Sequence, residues 1–69
     1  MSLPKITEVL DTVSVGNTAL VLFKGVENGF DVYTIVDMGV NGKTAQILRQ
    51  SFSQEMGVTH LVNEVRARR

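Results

Sequence analysis

The chain has 69 residues, no cysteine, one histidine and a formal net charge of zero. Disulfides and thiolate metal sites are excluded, an imidazole cluster cannot form, and the strongly basic balance of a dedicated nucleic-acid binder is missing. Residues 1–69 read as a single small domain, a size at which only about 60% of the unfolded chain's surface is buried on folding and association with another chain often supplies missing stability.

The longest apolar run, Ala19 to Phe23, is too short for a membrane span or a signal-peptide core. The expectation is a soluble, intracellular (cytoplasmic) protein without a membrane partner. Charge is unevenly placed: residues 1–40 carry two cations and five anions, residues 41–69 five cations and two anions. Such polarity suits head-to-tail contact between chains, or a basic end that meets a polyanion.

Leu3, Ile6, Leu10 and Val13 recur at steps of three, four and three, which predicts an N-terminal amphipathic helix. Ser2 can cap it, Pro4 fits its first turn, and Gly16 offers a stop. The alternation from Thr12 to Val15 is strand-like, so the far boundary is open.

Asn28-Gly29 sits between runs rich in β-branched and aromatic residues, the strongest short-range signal for a hairpin. A two-residue turn there pairs Glu27 with Phe30 and makes every further pair of residue numbers sum to 57. One face then collects Ala19, Val21, Phe23, Phe30, Val32, Thr34, Val36 and Met38, expected to be core. The other collects Leu20, Leu22, Tyr33 and Ile35, an apolar centre bounded by Lys24, Asp31 and Asp37 that a helix or another subunit would cover.

A second pair, Asn41-Gly42, predicts a further hairpin and a third strand over Lys43 to Gln50, pairing Val36 with Ile47 and Ile35 with Leu48. The competing reading is a helix, because Ala45, Leu48, Phe52 and Met56 are spaced three, four and four, with Gly57 as its stop. Val58, Leu61, Val62 and Val65 predict a C-terminal amphipathic helix that starts as early as a Ser53 cap. It ends in Arg66-Ala67-Arg68-Arg69, cations suited to the negative end of a helix dipole.

Phe52 to Thr59 resembles the first helix and turn of a helix-turn-helix, with Gly57 at the turn, although Asn63 stands where that family places an aliphatic residue. Helix, three strands and helix, with Val40-Asn41-Gly42-Lys43 as the second hairpin turn, resembles the double-stranded RNA-binding domain. The lysines with which that family grips phosphate are absent from Ser53-Gln54-Glu55-Met56.

His60 has only Thr59 and Glu64 as neighbouring partners for acid–base chemistry, and reads as a solvated helix residue. Asp31 and Asp37 lie about 20 Å apart on one strand at ~3.3 Å per residue, too far to act together. The glycines read as turns, not as a phosphate loop. No catalytic, metal-ligating or cofactor-binding residues are expected, and no small-molecule substrate.

The expected fold is α+β, a three-stranded antiparallel meander flanked by an N-terminal and a C-terminal helix. The expected function is a small non-enzymatic protein–protein interaction or assembly module, a homo-oligomer or an accessory subunit of a larger complex. Leu20, Leu22, Tyr33 and Ile35 are its expected contact, and Arg66, Arg68 and Arg69 a charged rim or polyanion contact. The alternative is a nucleic-acid-binding regulator that uses the basic C-terminal half.

Overall fold

The computed structural model describes residues 5–40, 42 and 45–69. Of the expectations above, the roles given to Ser2, Leu3, Pro4, Asn41 and Lys43 lie outside these residues. Strands β1 (Lys5–Val15), β2 (Thr18–Glu27), β3 (Phe30–Asp37) and β4 (Gln46–Ser51) precede one helix, α1 (Gln54–Arg68). The strands form a four-stranded antiparallel sheet in chain order, and α1 lies on one side of it.

This corrects the expected architecture: the sheet has four strands instead of three, and the segment expected to be an N-terminal helix is β1. The reason lies in two bulges. Against β2, Ile6 pairs with Gly25 and Glu8 with Lys24, so Thr7 is an extra residue; Val9 pairs with Phe23 and Asp11 with Leu22, so Leu10 is another. Each insertion shifts the period-two alternation by one residue. Same-side apolar positions then stand three apart, Ile6 and Val9 on one side and Leu10 and Val13 on the other, and taken together along the chain they mimic a helical stripe. The Thr7 hydroxyl donates to the Lys24 carbonyl (3.1 Å) and anchors the first bulge to β2.

Gly16, expected to stop a helix, instead turns β1 into β2. Val15 pairs with Thr18, and Gly16 takes φ +60°, a conformation that glycine adopts without a Cβ clash. The Thr18 hydroxyl donates to the Val15 carbonyl (3.0 Å) and fastens this turn.

The β2–β3 hairpin has the register read from Asn28-Gly29: Glu27 faces Phe30, Lys24 faces Tyr33 and Leu20 faces Asp37. Asn28 and Gly29 both have positive φ, 54° and 82°, as a turn matched to the twist of the strands requires. The segment from Gln46 to Ser51 is a strand, as expected, and Val36 faces Ile47. Ile35, however, faces Arg49 and not Leu48, because Leu48 is a bulge residue.

Helix α1 is continuous from Gln54 to Arg68, which removes the helix-turn-helix likeness, and the missing N-terminal helix removes the topological one. Its start is built as expected: Ser53 is extended, and its Oγ accepts from the Met56 amide (3.2 Å). Gly57 does not stop a helix; it is buried in the first turn of α1, where the helix comes closest to the sheet.

The core between helix and sheet joins Leu61 to Val15, Leu20, Leu22 and Ile35, with Leu10, Val13, Tyr33, Leu48 and Val65 packed around them. Every one of these strand residues belongs to the same side of the sheet. Among the described residues, no buried side-chain polar atom lacks a hydrogen-bond partner.

Candidate interaction surface

The four residues expected to meet a partner are where α1 packs. Leu20 and Leu22 are 0% exposed and Ile35 2%, with Tyr33 half-buried beside them. They are core, and the cover this apolar centre required comes from the chain's own helix. A partner has no access to them.

The strand register places the other side of the sheet in rows. Ile6, Gly25 and Val32 form one; Val9, Phe23, Thr34 and Gln50 the next; Thr12, Val21, Val36 and Ile47 the third. Ser14 and Ala19 lie beyond them. No helix or further strand covers these rows among the described residues.

The centre of this side is nevertheless shielded: Phe23 is 4% exposed, Val32 3% and Val36 1%. None belongs to the core under α1. Bulges bend and twist a sheet, and both outer strands, β1 and β4, carry them. Thr34, fully buried among these apolar residues, accepts at its hydroxyl from Gln50 Nε2 (3.4 Å).

Large apolar side chains of this side stand exposed, Ile6 at 49%, Val9 at 60% and Phe30 at 67%, and Phe52, just after β4, is 81% exposed. Phe30 and Phe52 border a shallow depression of about 520 Å³ that Asp31 also lines. At ~200 Å² per aromatic side chain, Phe30 and Phe52 alone present roughly 300 Å² of apolar surface, already the scale of the largest patch on an ordinary monomer.

Charge is distributed between the two sides with little overlap. Of the charged residues in the strands, Lys5, Glu8, Asp11, Lys24, Asp31, Asp37 and Arg49 register to the helix side, and only Glu27, at the tip of a hairpin, to the other. Two of the acids on the helix side have partners, Asp31 with Lys24 (3.9 Å) and Asp37 with Arg68 (2.9 Å).

The arginines expected to act together are divided. Arg68 reaches Asp37 on β3 and Glu64 one turn back on α1 (3.1 Å), so its guanidinium serves the fold. Asp37 also accepts from the Gly39 amide (2.8 Å), and this bond first, with help from Arg68, holds its carboxyl below the ordinary carboxylate range against the opposing effect of burial. Arg66 and Arg69 are exposed beside a groove of about 280 Å³ between α1 and β1.

His60 is half-buried, and its neighbours are engaged elsewhere: the Thr59 hydroxyl donates to the Glu55 carbonyl (3.0 Å), and Glu64 takes Arg68. Among the described residues, no three acidic or histidine side chains gather where they could hold a metal ion, and no helix is long and apolar enough to cross a membrane.

Reading the sequence missed Ile6, Val9 and Phe52 as surface residues. The signal that could have found them is Phe52 itself, a large aromatic just before a helix cap, where nothing in the chain requires it. Compared with known proteins, the chain matches no family model, and no characterised protein or solved structure is significantly similar to it.

Proposed function

We propose that this chain is a non-enzymatic protein–protein assembly module whose contact is the side of the sheet opposite α1. The observation that supports this reading is the set of exposed apolar residues Ile6, Val9 and Phe30, which register to a side whose strands carry one charge, with Phe52 beside Phe30. The centre of that side is shielded within the chain, and the exposed apolar residues around it are what a contact would cover. Reaction chemistry finds no support in the surroundings of His60, whose neighbouring hydroxyl and carboxylate are already bonded.

The test places a photo-crosslinking p-benzoylphenylalanine at Phe52, and separately at the exposed helix residue Asn63 as a control, in the cell of origin. Covalent adducts from position 52, whether with the same chain or with others, and few from position 63 are expected. No excess at position 52 refutes the assembly reading.

A further inference from the structure

We infer that the partner is an extended peptide segment with an apolar, basic, apolar alternation, which pairs with the open edge of β3 at Asp31. The inference rests on the assembly reading above and adds the partner's chemistry.

The edge is open because β3 reaches further than β4. Strand β3 begins at Phe30, but its last pair with β4 is Tyr33 with Ser51. Across a two-residue turn the first pair, Glu27 and Phe30, exchanges both backbone bonds, and bonded pairs alternate with unbonded ones from there. The Met38 amide donates to the Ala19 carbonyl (2.9 Å), in step with that alternation at the far end of the hairpin. Asp31 therefore turns its N–H and C=O away from β2, toward the place where β4 would continue. The residue due opposite it is Ser53, two beyond Ser51, but Ser53 caps α1 and no backbone bond joins it to Asp31. An extended segment laid in this place satisfies both groups, as a strand added to a sheet edge does.

The side chains around that place specify what the segment carries. Two residues opposite each other in a sheet point to the same side, so the residue facing Asp31 stands beside its carboxylate. The Asp31 side chain is 57% exposed, and Lys24, its charged neighbour among the described residues, approaches only to 3.9 Å, beyond hydrogen-bond reach. The carboxylate thus keeps room for a lysine or arginine. Residues on either side of the basic one point to the opposite side of the sheet, that of Phe30. The exposed rings of Phe30 and Phe52 border the depression that Asp31 also lines, so apolar side chains at these two positions cover them. An acidic residue opposite Asp31 would set two like charges side by side.

The probe is acetyl-Thr-Val-Arg-Val-Thr-amide, titrated into the isotope-labelled full chain beside the same peptide with glutamate in place of arginine. With the arginine peptide, the nuclear magnetic resonance amide signals of Phe30, Asp31 and Val32 should shift with a Kd of about 1 mM, and hydrogen exchange at the Asp31 amide should slow. The glutamate peptide should bind at least about fivefold more weakly, and Asp31→Asn should shrink that difference. Phe52→Ala should weaken binding of the arginine peptide about fivefold with the far-ultraviolet circular dichroism unchanged, since its ring is exposed in the free chain. No shift at residues 30–32 with the arginine peptide at ~10 mM, or equal binding of the two peptides, overturns the inference. If position 52 then still gives adducts in the cell, the assembly reading stands and the basic extended segment alone is lost; if it gives none, both fail.

Discussion

Replacing Gly57 by alanine sets two opposed effects against each other at one atom. In a helix interior, glycine to alanine stabilises by about 1 kcal/mol, because alanine loses less backbone freedom on folding. At Gly57 the added methyl would lie 3.1 Å from Tyr33 Cβ and 3.2 Å from Leu22 Cδ1. Neither neighbour yields easily. Tyr33 Cβ is fixed to the backbone of β3, which pairs with both β2 and β4, and Leu22 is fully enclosed. Relief therefore requires α1 to lift by a few tenths of an ångström along its contact with the sheet, a form of overpacking that costs about 1–3 kcal/mol. The larger effect wins, and Gly57→Ala should lose about 1 kcal/mol net, or about 4–8 °C in thermal midpoint for a domain of this size. Urea melts of Gly57→Ala should be compared with those of Asn63→Ala, an exposed position on the same helix where the propensity gain has no steric opponent. Asn63→Ala should raise the midpoint and Gly57→Ala lower it. If both rise by similar amounts, the close approach at Gly57 does not constrain the helix, and the reasoning fails.

Three further outcomes follow from the same contacts. Leu61 is the large apolar residue of α1 that is buried in the core, so Leu61→Ala should cost about 2–5 kcal/mol, enough in so small a domain to show as loss of the cooperative thermal transition. Ser53→Ala removes the acceptor for the Met56 amide and should cost about 1 kcal/mol in a urea melt, with Ser53→Asp restoring most of it. Asp37 is held below the ordinary carboxylate range by the Gly39 amide and Arg68, so its contribution is complete above its unfolded value near ~4 and is lost as pH falls through its lower folded value. Acid titration of stability should show that loss in the native chain and a shallower one in Asp37→Asn; identical pH profiles for the two would rule out the assignment.

What could be read from residues alone depended on whether local turn chemistry or distant packing set the outcome. The β2–β3 register follows from Asn28-Gly29, because a two-residue turn with positive φ at both positions leaves no freedom in the pairing that follows. Strand β1 was hidden for the opposite reason. Its extra residues Thr7 and Leu10 stretch the same-side spacing from two to three, and the stripe Ile6, Leu10 and Val13 joins residues from both sides of the sheet. At Leu48 the same device moves the expected Ile35 pairing by one residue, although the strand itself was legible. Gly57 could serve the competing reading as a helix stop because a glycine that lets a helix approach a sheet looks, in sequence, like one that ends a helix.

The candidate surface was misread for a reason that bears on small sheets in general. Both sides of the β2–β3 hairpin are apolar at their centres, so hydrophobicity cannot say which side the helix takes. The charged border around Leu20, Leu22, Tyr33 and Ile35 suggested the rim of an exposed contact. In the structure one member of that border, Asp37, is tied to α1, and the other two, Lys24 and Asp31, pair with each other. An α-helix is about 10 Å wide, whereas four strands span about 19 Å, so one helix covers the middle of a side and leaves its margins wet. Charged residues at those margins remain solvated and can tie down the helix, as Asp37 does through Arg68 at the far end of α1. The rows through Val9, Phe23 and Thr34 and through Val21 and Val36 carry no charge. In this sheet the apolar centre ringed by charge marks the side the helix occupies.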